Sequence, residues 1–237
     1  MKTGIAITTY FCDRTPPGRL DIFKRSLGSL LSTDYEGVIV LVDDGSSTDS
    51  HLKLIDSRVR VVRKSHGGIA RAKNTCIKEL LSENVDVGFL ADDDMFYKNN
   101  DWHTRYTEAI HRTGIDHFSY FLESTPCEAL NLCGVMIRQT PSVNGCFLTF
   151  TKELIDKIGF FKVLPNEYGH EHSNFSIRAA RLAKQGGFFD LEDSTRSIEL
   201  IPESVVSKSV GIIDINQFKE NERHAILMRF QYEPLLE

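Results

Sequence analysis

The chain has 237 residues, 41% of them hydrophobic and 26% charged, enough for one sizeable α/β domain or two small lobes around a cleft. Its net charge of −5 leaves no electrostatic footprint for a nucleic-acid partner. Five cysteines (Cys12, Cys76, Cys127, Cys133, Cys146), odd in number and without a CxxC pair, argue against a disulfide or zinc framework and read as reduced thiols.

In chain order, residues 4–9 predict a first strand, and 19–31 a helix with Leu20, Phe23, Leu27 and Leu30 on one stripe. Residues 38–42 are almost wholly aliphatic, as expected of a strand covered on both faces. Ser47 is placed to cap a short helix to residue 55, and 59–62 predict a third strand. A helix over 68–81 carries Ile69, Ala72, Cys76 and Leu80 on one face, and a fourth strand over 85–90 runs into Asp92, Asp93 and Asp94. Strand and helix in alternation imply a doubly wound, mostly parallel sheet with right-handed crossovers. The second half is less regular. It predicts helices over 101–112, 151–158, 171–184 and 214–230, and strands over 118–122, 132–138 and 145–150. Residues 1–10 are too short and too polar for a signal peptide, and no window has the apolar length to span a bilayer. The chain is therefore expected to be soluble and cytoplasmic, with no integral membrane segment.

In such sheets ligands bind beyond the carboxyl ends of the strands, and each of the first four strands ends in a polar cluster. These are Thr8-Thr9-Tyr10 followed by Asp13-Arg14, then Asp43-Asp44-Gly45-Ser46-Ser47, Lys64-Ser65-His66-Gly67-Gly68, and the Asp triplet. Ordinary turn chemistry accounts for any one of them, but four on one edge point to a ligand. A carboxylate at Asp43 can accept from the N–H of a base. Gly67 and Gly68 permit close backbone approach where a helix begins and its first amides favour anions. Arg71, one turn in, is within reach of a phosphate or base, or is a solvated helix charge. Three consecutive Asp cannot continue a buried strand; they supply oxygen ligands for Mg²⁺ or Mn²⁺ or form an acidic turn. A nucleoside diphosphate bridged by a metal fits these parts. Neither a GxxxxGKS/T loop nor a GxGxxG fingerprint is present, which weakens P-loop hydrolysis and dinucleotide binding.

The segments Val-Asp-Asp-Gly-Ser-Ser-Thr-Asp (42–49), Gly-Gly-Ile-Ala-Arg-Ala-Lys-Asn (67–74), Phe-Leu-Ala-Asp-Asp-Asp (89–94) and Gly-His-Glu-His-Ser-Asn-Phe-Ser-Ile-Arg (169–178) occur in that order. Over residues 4–187 the chain resembles inverting, family 2-like glycosyltransferases of the GT-A fold. The resemblance implies one GT-A domain over 1–237, with a nucleotide-sugar half to about residue 122 and an acceptor-binding α+β half beyond. It further implies a UDP-sugar donor, a carbohydrate or glycan acceptor, and Mn²⁺ or Mg²⁺ as cofactor. Asp43 resembles the Asp that recognises uracil, with Thr8 and Tyr10 lining base and ribose. Arg14, Asp44, Gly68 and Arg71 join them as nucleotide contacts.

The metal motif departs from the usual Leu-Asp-x-Asp-Asp, with Ala91 where the first Asp is expected. In that register Asp93, with Asp94, is the implied metal ligand and Asp92 a ribose contact. Reading Asp92-x-Asp94 as the motif exchanges those roles. The acceptor-side pair, commonly Glu-Asp in the family, is here Glu171-His172. Either residue can act as the base that deprotonates the acceptor, and His172 is also a candidate metal ligand. Trp102 and Arg178 are the candidate sugar or acceptor contacts. Trp102 suits stacking on a sugar as well as a core position, and Arg178 lies on the Glu171 face of its helix at i+7, with Asn174 at i+3. His66 and His170 are weaker candidates. A sugar nucleotidyltransferase and a non-catalytic nucleotide-sugar-binding module are the alternative functions.

Overall fold

A computed structural model describes residues 1–121, 127–164, 169–183, 185–202 and 219–220. Strands that are aliphatic on both faces must be covered on both sides, and they form the centre of the main sheet. β1 (Thr3–Thr9) lies between β2 (Val38–Asp43) and β4 (Val87–Asp92), all parallel, with β3 (Val59–Arg63) parallel outside β2. β8 (Phe147–Thr151) completes the sheet antiparallel to β4, giving the order β3-β2-β1-β4-β8.

Period-two alternation sends each strand's side chains to two separate cores. On one face Ile5, Ile7, Leu41 and Phe89 pack with Phe23 and Leu27 of α1 (Arg19–Leu31) and Trp102 and Tyr106 of α3 (Trp102–Thr113). On the other, Ala6, Val40, Val42 and Leu90 meet α2 (Ile69–Ser82), through Ala72, Cys76 and Leu80. That face is extended by Leu154 of α4 (Lys152–Ile158) and Phe175 of α5 (Glu171–Leu182).

The second half differs in detail from its sequence pattern. The strand expected over 132–138 is a hairpin of β6 (Glu128–Leu132) and β7 (Val135–Thr140), extended antiparallel by β9 (Phe188–Leu191). Cys133 (φ 53°) and Gly134 (φ 76°) form its tip, the left-handed pair that a tight hairpin requires. β5 (Met95–Tyr97) pairs with β10 (Ile198–Leu200), a three-residue ribbon too short to leave a periodic signal. The described part of the expected strand over 118–122, residues 118–121, forms an isolated bridge of Ser119 with Leu148 in place of a strand. The segment 47–55 forms a single 3₁₀ turn at Leu52–Leu54 instead of a capped helix. The helix expected over 214–230 lies outside the described residues except at 219–220.

His117 ties β8 to α5. Its Nδ1–H donates to the Thr149 carbonyl (2.7 Å), so Nε2 accepts from the Ser176 hydroxyl (2.7 Å). Burial pulls the imidazole down from 6.5 to about 4. The sign follows from linkage. The unfolded chain takes up a proton below 6.5 while the folded one resists until about 4, so this stability is present above 6.5 and is lost as pH falls through 4. The difference corresponds to about 3 kcal/mol. His117→Gln is therefore expected to lose less stability than the wild type between pH 7 and 4, measured by denaturant titration at each pH. Parallel pH profiles would contradict the assignment.

Candidate active site

Parallel register brings the four strand ends to one edge. Thr8 lies opposite Asp92, Thr9 opposite Asp43, and Asp43 opposite Arg63. Because β8 runs the other way, its beginning reaches the same edge, where the Asp92 amide donates to the Cys146 carbonyl (2.8 Å).

Alternation splits the Asp triplet between the two faces. Asp93 turns to the α1 side, where Arg19 forms an ion pair with it and Thr9 donates to its other oxygen (2.6 Å). Asp94, fully buried, lies 3.7 Å from the same guanidinium. Burial lifts the Asp93 carboxyl above its ordinary value despite the Arg19 charge. Asp92 stays on the α2 face with its side chain 21% exposed, within 3.4 Å of Thr8 Oγ1 and of Lys73 Nζ. Asp93 and Asp94, the expected metal ligands, are turned inward beside the Arg19 guanidinium, and Asp92 is the carboxylate at the open edge. Arg19→Met would leave two buried carboxylates without that cation, at an expected cost of about 3–5 kcal/mol in denaturant unfolding. Adding Asp93→Asn should recover part of the loss, since one of the stranded charges is then gone.

Asp43, the expected base contact, is likewise turned inward. It is fully buried, with Oδ1 accepting from the Ser46 amide and hydroxyl and Oδ2 beside Arg63 (3.2 Å) and His51 (3.7 Å), so it closes its own turn and presents no oxygen to a base. Asp44 organises the next loop. It accepts from the amides of Gly67 (3.2 Å) and Gly68 (2.9 Å) and pairs with Lys64 and His66. The amides expected to face a phosphate thus hold this carboxylate. Gly45, at φ 78°, packs so closely on His66 that a Cβ would overlap the backbone. Tyr10 stacks on His66 with centroids 4.3 Å apart, an aromatic pair at the strand ends. Arg71 is exposed and folds back on the Gly67 carbonyl (3.1 Å), and Arg14 is exposed in the β1–α1 loop.

The acceptor-side motif reaches the same edge. Lys73, 1% exposed on α2, donates to the Gly145 carbonyl and lies 3.4 Å from Asp92. Gly145 in turn touches the His172 ring, and a Cβ there would come within 2.8 Å of it. Glu171 is buried, with Oε2 accepting from the Gly169 amide (3.0 Å) and Oε1 3.2 Å from His172 Nδ1. Burial raises the Glu171 carboxyl, but the His172 hydrogen bond and the charges of His172 and Lys73 outweigh it, and the net direction is downward. Lys73 was not singled out from the sequence. The signal was there: it falls on the apolar stripe of α2, four residues after Ile69 and three before Cys76, where an unpaired lysine is not tolerated.

Two expected contacts belong to the scaffold. Trp102 is fully buried among Tyr35, Phe89 and Tyr97, with centroids 4.9–5.1 Å away, and has no face for a sugar. Arg178 donates to the carbonyls of Ile158 and Phe160 and to Asn174, satisfying the end of α4. Asn74 does similar work, exchanging two hydrogen bonds with the Phe161 backbone.

Among the described residues no three His, Cys, Asp or Glu side chains form a ready cage for a cation. An ion held by one or two carboxylates and by substrate phosphates needs none. Asp92, partly open at the sheet edge with the Lys73 ammonium 3.4 Å away, fits that requirement. No described helix is long and apolar enough to cross a membrane.

The sequence model of Glycosyl transferase family 2 matches residues 5–128. An uncharacterized glycosyltransferase of Acanthamoeba polyphaga mimivirus is 39% identical over 223 residues, covering 90% of this chain and 86% of that protein. Among solved structures, a mannosyltransferase from Pyrobaculum calidifontis in complex with GDP-Man and Mn²⁺ superposes with a TM-score of 0.54 at 17% identity. It covers 76% of this chain and 52% of its own. S. aureus TarS in complex with UDP gives a TM-score of 0.50 at 14% identity, over 76% of this chain and 55% of the other. This chain thus spans about half the length of those solved structures, and at such identities they show the GT-A fold alone. The matched family span and the mimivirus relative show that the chain belongs to glycosyl transferase family 2 and is a glycosyltransferase.

Proposed function

We propose that the protein moves a sugar from a UDP-sugar to a hydroxyl of a carbohydrate or glycan acceptor, with inversion at the anomeric carbon and Mn²⁺ or Mg²⁺ bound beside the diphosphate. The observation that carries this reading is the meeting of Asp92, Lys73, Glu171 and His172 at one sheet edge. The donor half lies to about residue 122 and the acceptor half beyond it. Tyr10 and His66 border the base, in a loop that Asp44 holds in place through Gly67, Gly68 and His66. Asp92 holds the cation, which when bound neutralises the departing diphosphate. Arg71 and Lys64, both against Gly67 in the loop after β3, add positive charge on the donor side.

His172 is the base. Glu171 accepts from Nδ1–H, which fixes the tautomer and leaves the Nε2 lone pair to take the acceptor proton. A carboxylate with a depressed pKa is a poor proton acceptor at neutral pH, which favours Glu171 as the orienting group. The attacking oxygen forms its bond to the anomeric carbon as the bond to the diphosphate oxygen breaks. One displacement therefore inverts the centre.

The test is incubation with UDP-, GDP- and dTDP-sugars, with and without Mn²⁺, following nucleotide release and sugar transfer. Metal-dependent release of UDP with transfer to a glycan acceptor is expected. Pyrophosphate-dependent exchange would indicate a nucleotidyltransferase. Tight binding without turnover under any acceptor would indicate a binding module.

A further inference from the structure

We propose that Lys73 is a resident cation on Asp92 which keeps a divalent ion out until a nucleoside diphosphate arrives, so that ion and donor load together. The inference rests on the reading of Asp92 as the cation-holding carboxylate.

Three observations support it. Lys73 is almost completely buried, so its ammonium relies on protein oxygens in place of water, and those oxygens are the Gly145 carbonyl and Asp92 Oδ1. Asp92 is the carboxylate of the triplet still open to the edge, since Asp93 and Asp94 are held by Arg19 on the far face. Finally, Gly145 begins the segment that carries β8 to the edge and touches His172, so the lysine joins the donor-side carboxylate to the acceptor-side pair.

A dication arriving alone would draw on the same carboxylate that compensates the ammonium, and two like charges would be forced together away from water. A diphosphate brings enough negative charge to satisfy both. Lysine is suited to this exchange, being a compact point charge on a flexible stem, able to pass from a carboxylate to a phosphate oxygen by rotation of its own side chain. Binding of ion and nucleotide is then positively coupled, and the coupling is reciprocal.

The experiment measures Mn²⁺ binding by electron paramagnetic resonance, with no sugar donor and no turnover, on wild type, Lys73→Met, Lys73→Arg and Lys73→Met/Asp92→Asn, each with and without UDP. Wild type alone should bind Mn²⁺ weakly. Lys73→Met alone should bind it at least tenfold more tightly, Lys73→Arg should resemble wild type, and the double variant should lose the gain. UDP should tighten Mn²⁺ binding far more in wild type than in Lys73→Met. Thermal melts establish that each variant is folded. If Lys73→Met does not fold, Lys73→Gln, which also removes the charge, takes its place, and Mn²⁺ binding by wild type that is equally tight with and without UDP overturns the proposal by itself. A folded Lys73→Met no tighter than wild type, or a gain that survives Asp92→Asn, also overturns it. Wild type that binds Mn²⁺ with UDP while Lys73→Met gains nothing leaves the metal-dependent reading intact; absence of Mn²⁺ binding in every protein even with UDP overturns both.

Discussion

Asp92→Asn is expected to lower sugar transfer by about 10²–10³-fold, the scale of losing one preorganised electrostatic contact to the transition state. Asp93→Asn should behave differently. The Asp93 carboxylate is tied to Arg19 and Thr9 on the α1 face, so its loss should appear as reduced stability, with activity per folded molecule within a few-fold of wild type. Steady-state rates and denaturant curves for the two variants, measured together, separate the outcomes. If Asp93→Asn abolishes transfer at unchanged stability while Asp92→Asn is tolerated, the division of the triplet between the two faces is wrong.

The second large effect is at the acceptor pair. His172→Ala should reduce kcat by about 10²–10⁴-fold, the usual contribution of a general base. KM for the UDP-sugar should change little if the imidazole acts on the acceptor as proposed. Glu171→Gln should also slow turnover, since an amide no longer fixes the Nδ1–H tautomer, but less than His172→Ala does. The reverse ranking would make Glu171 the base. Single-turnover rates at saturating donor give the comparison free of product release.

The donor-side half was legible because its signals are local. The aliphatic runs at 38–42 and 85–90 have few alternatives to a doubly covered strand, and they are β2 and β4. The stripe of Leu20, Phe23, Leu27 and Leu30 is the inner face of α1. β5 and β10 have three residues each and exist through pairing with each other, about a hundred positions apart, which no local pattern records. The hairpin of β6 and β7 was read as one strand because its turn, Cys133-Gly134, is a single pair of residues whose conformation depends on backbone φ.

At the candidate site, the sequence pointed to one sheet edge and to clusters that the fold brings together there, but not to which member of each is turned outward. Asp43 and Asp44 are adjacent, as are Asp92 and Asp93. In a strand or the residue just past it, one step along the chain is a change of face. Deciding which member faced inward required knowing what lay there, namely Arg19 under Asp93 and the Ser46 turn under Asp43. Lys73 and Trp102 illustrate the converse difficulty. A lysine in a helix ordinarily reads as solvated and a lone tryptophan near a motif as a sugar platform, yet here the lysine is buried against Asp92 and the tryptophan lies in the core.

A single displacement from a nucleoside diphosphate sugar, as proposed, must invert the anomeric carbon, and the configuration of the product reports it. An α-linked UDP-sugar, Mn²⁺ and an acceptor glycan followed by proton NMR should give a β-linked product and UDP in equal amounts from the first time points. An α-linked product, or UMP with a sugar phosphate in place of UDP, would contradict it.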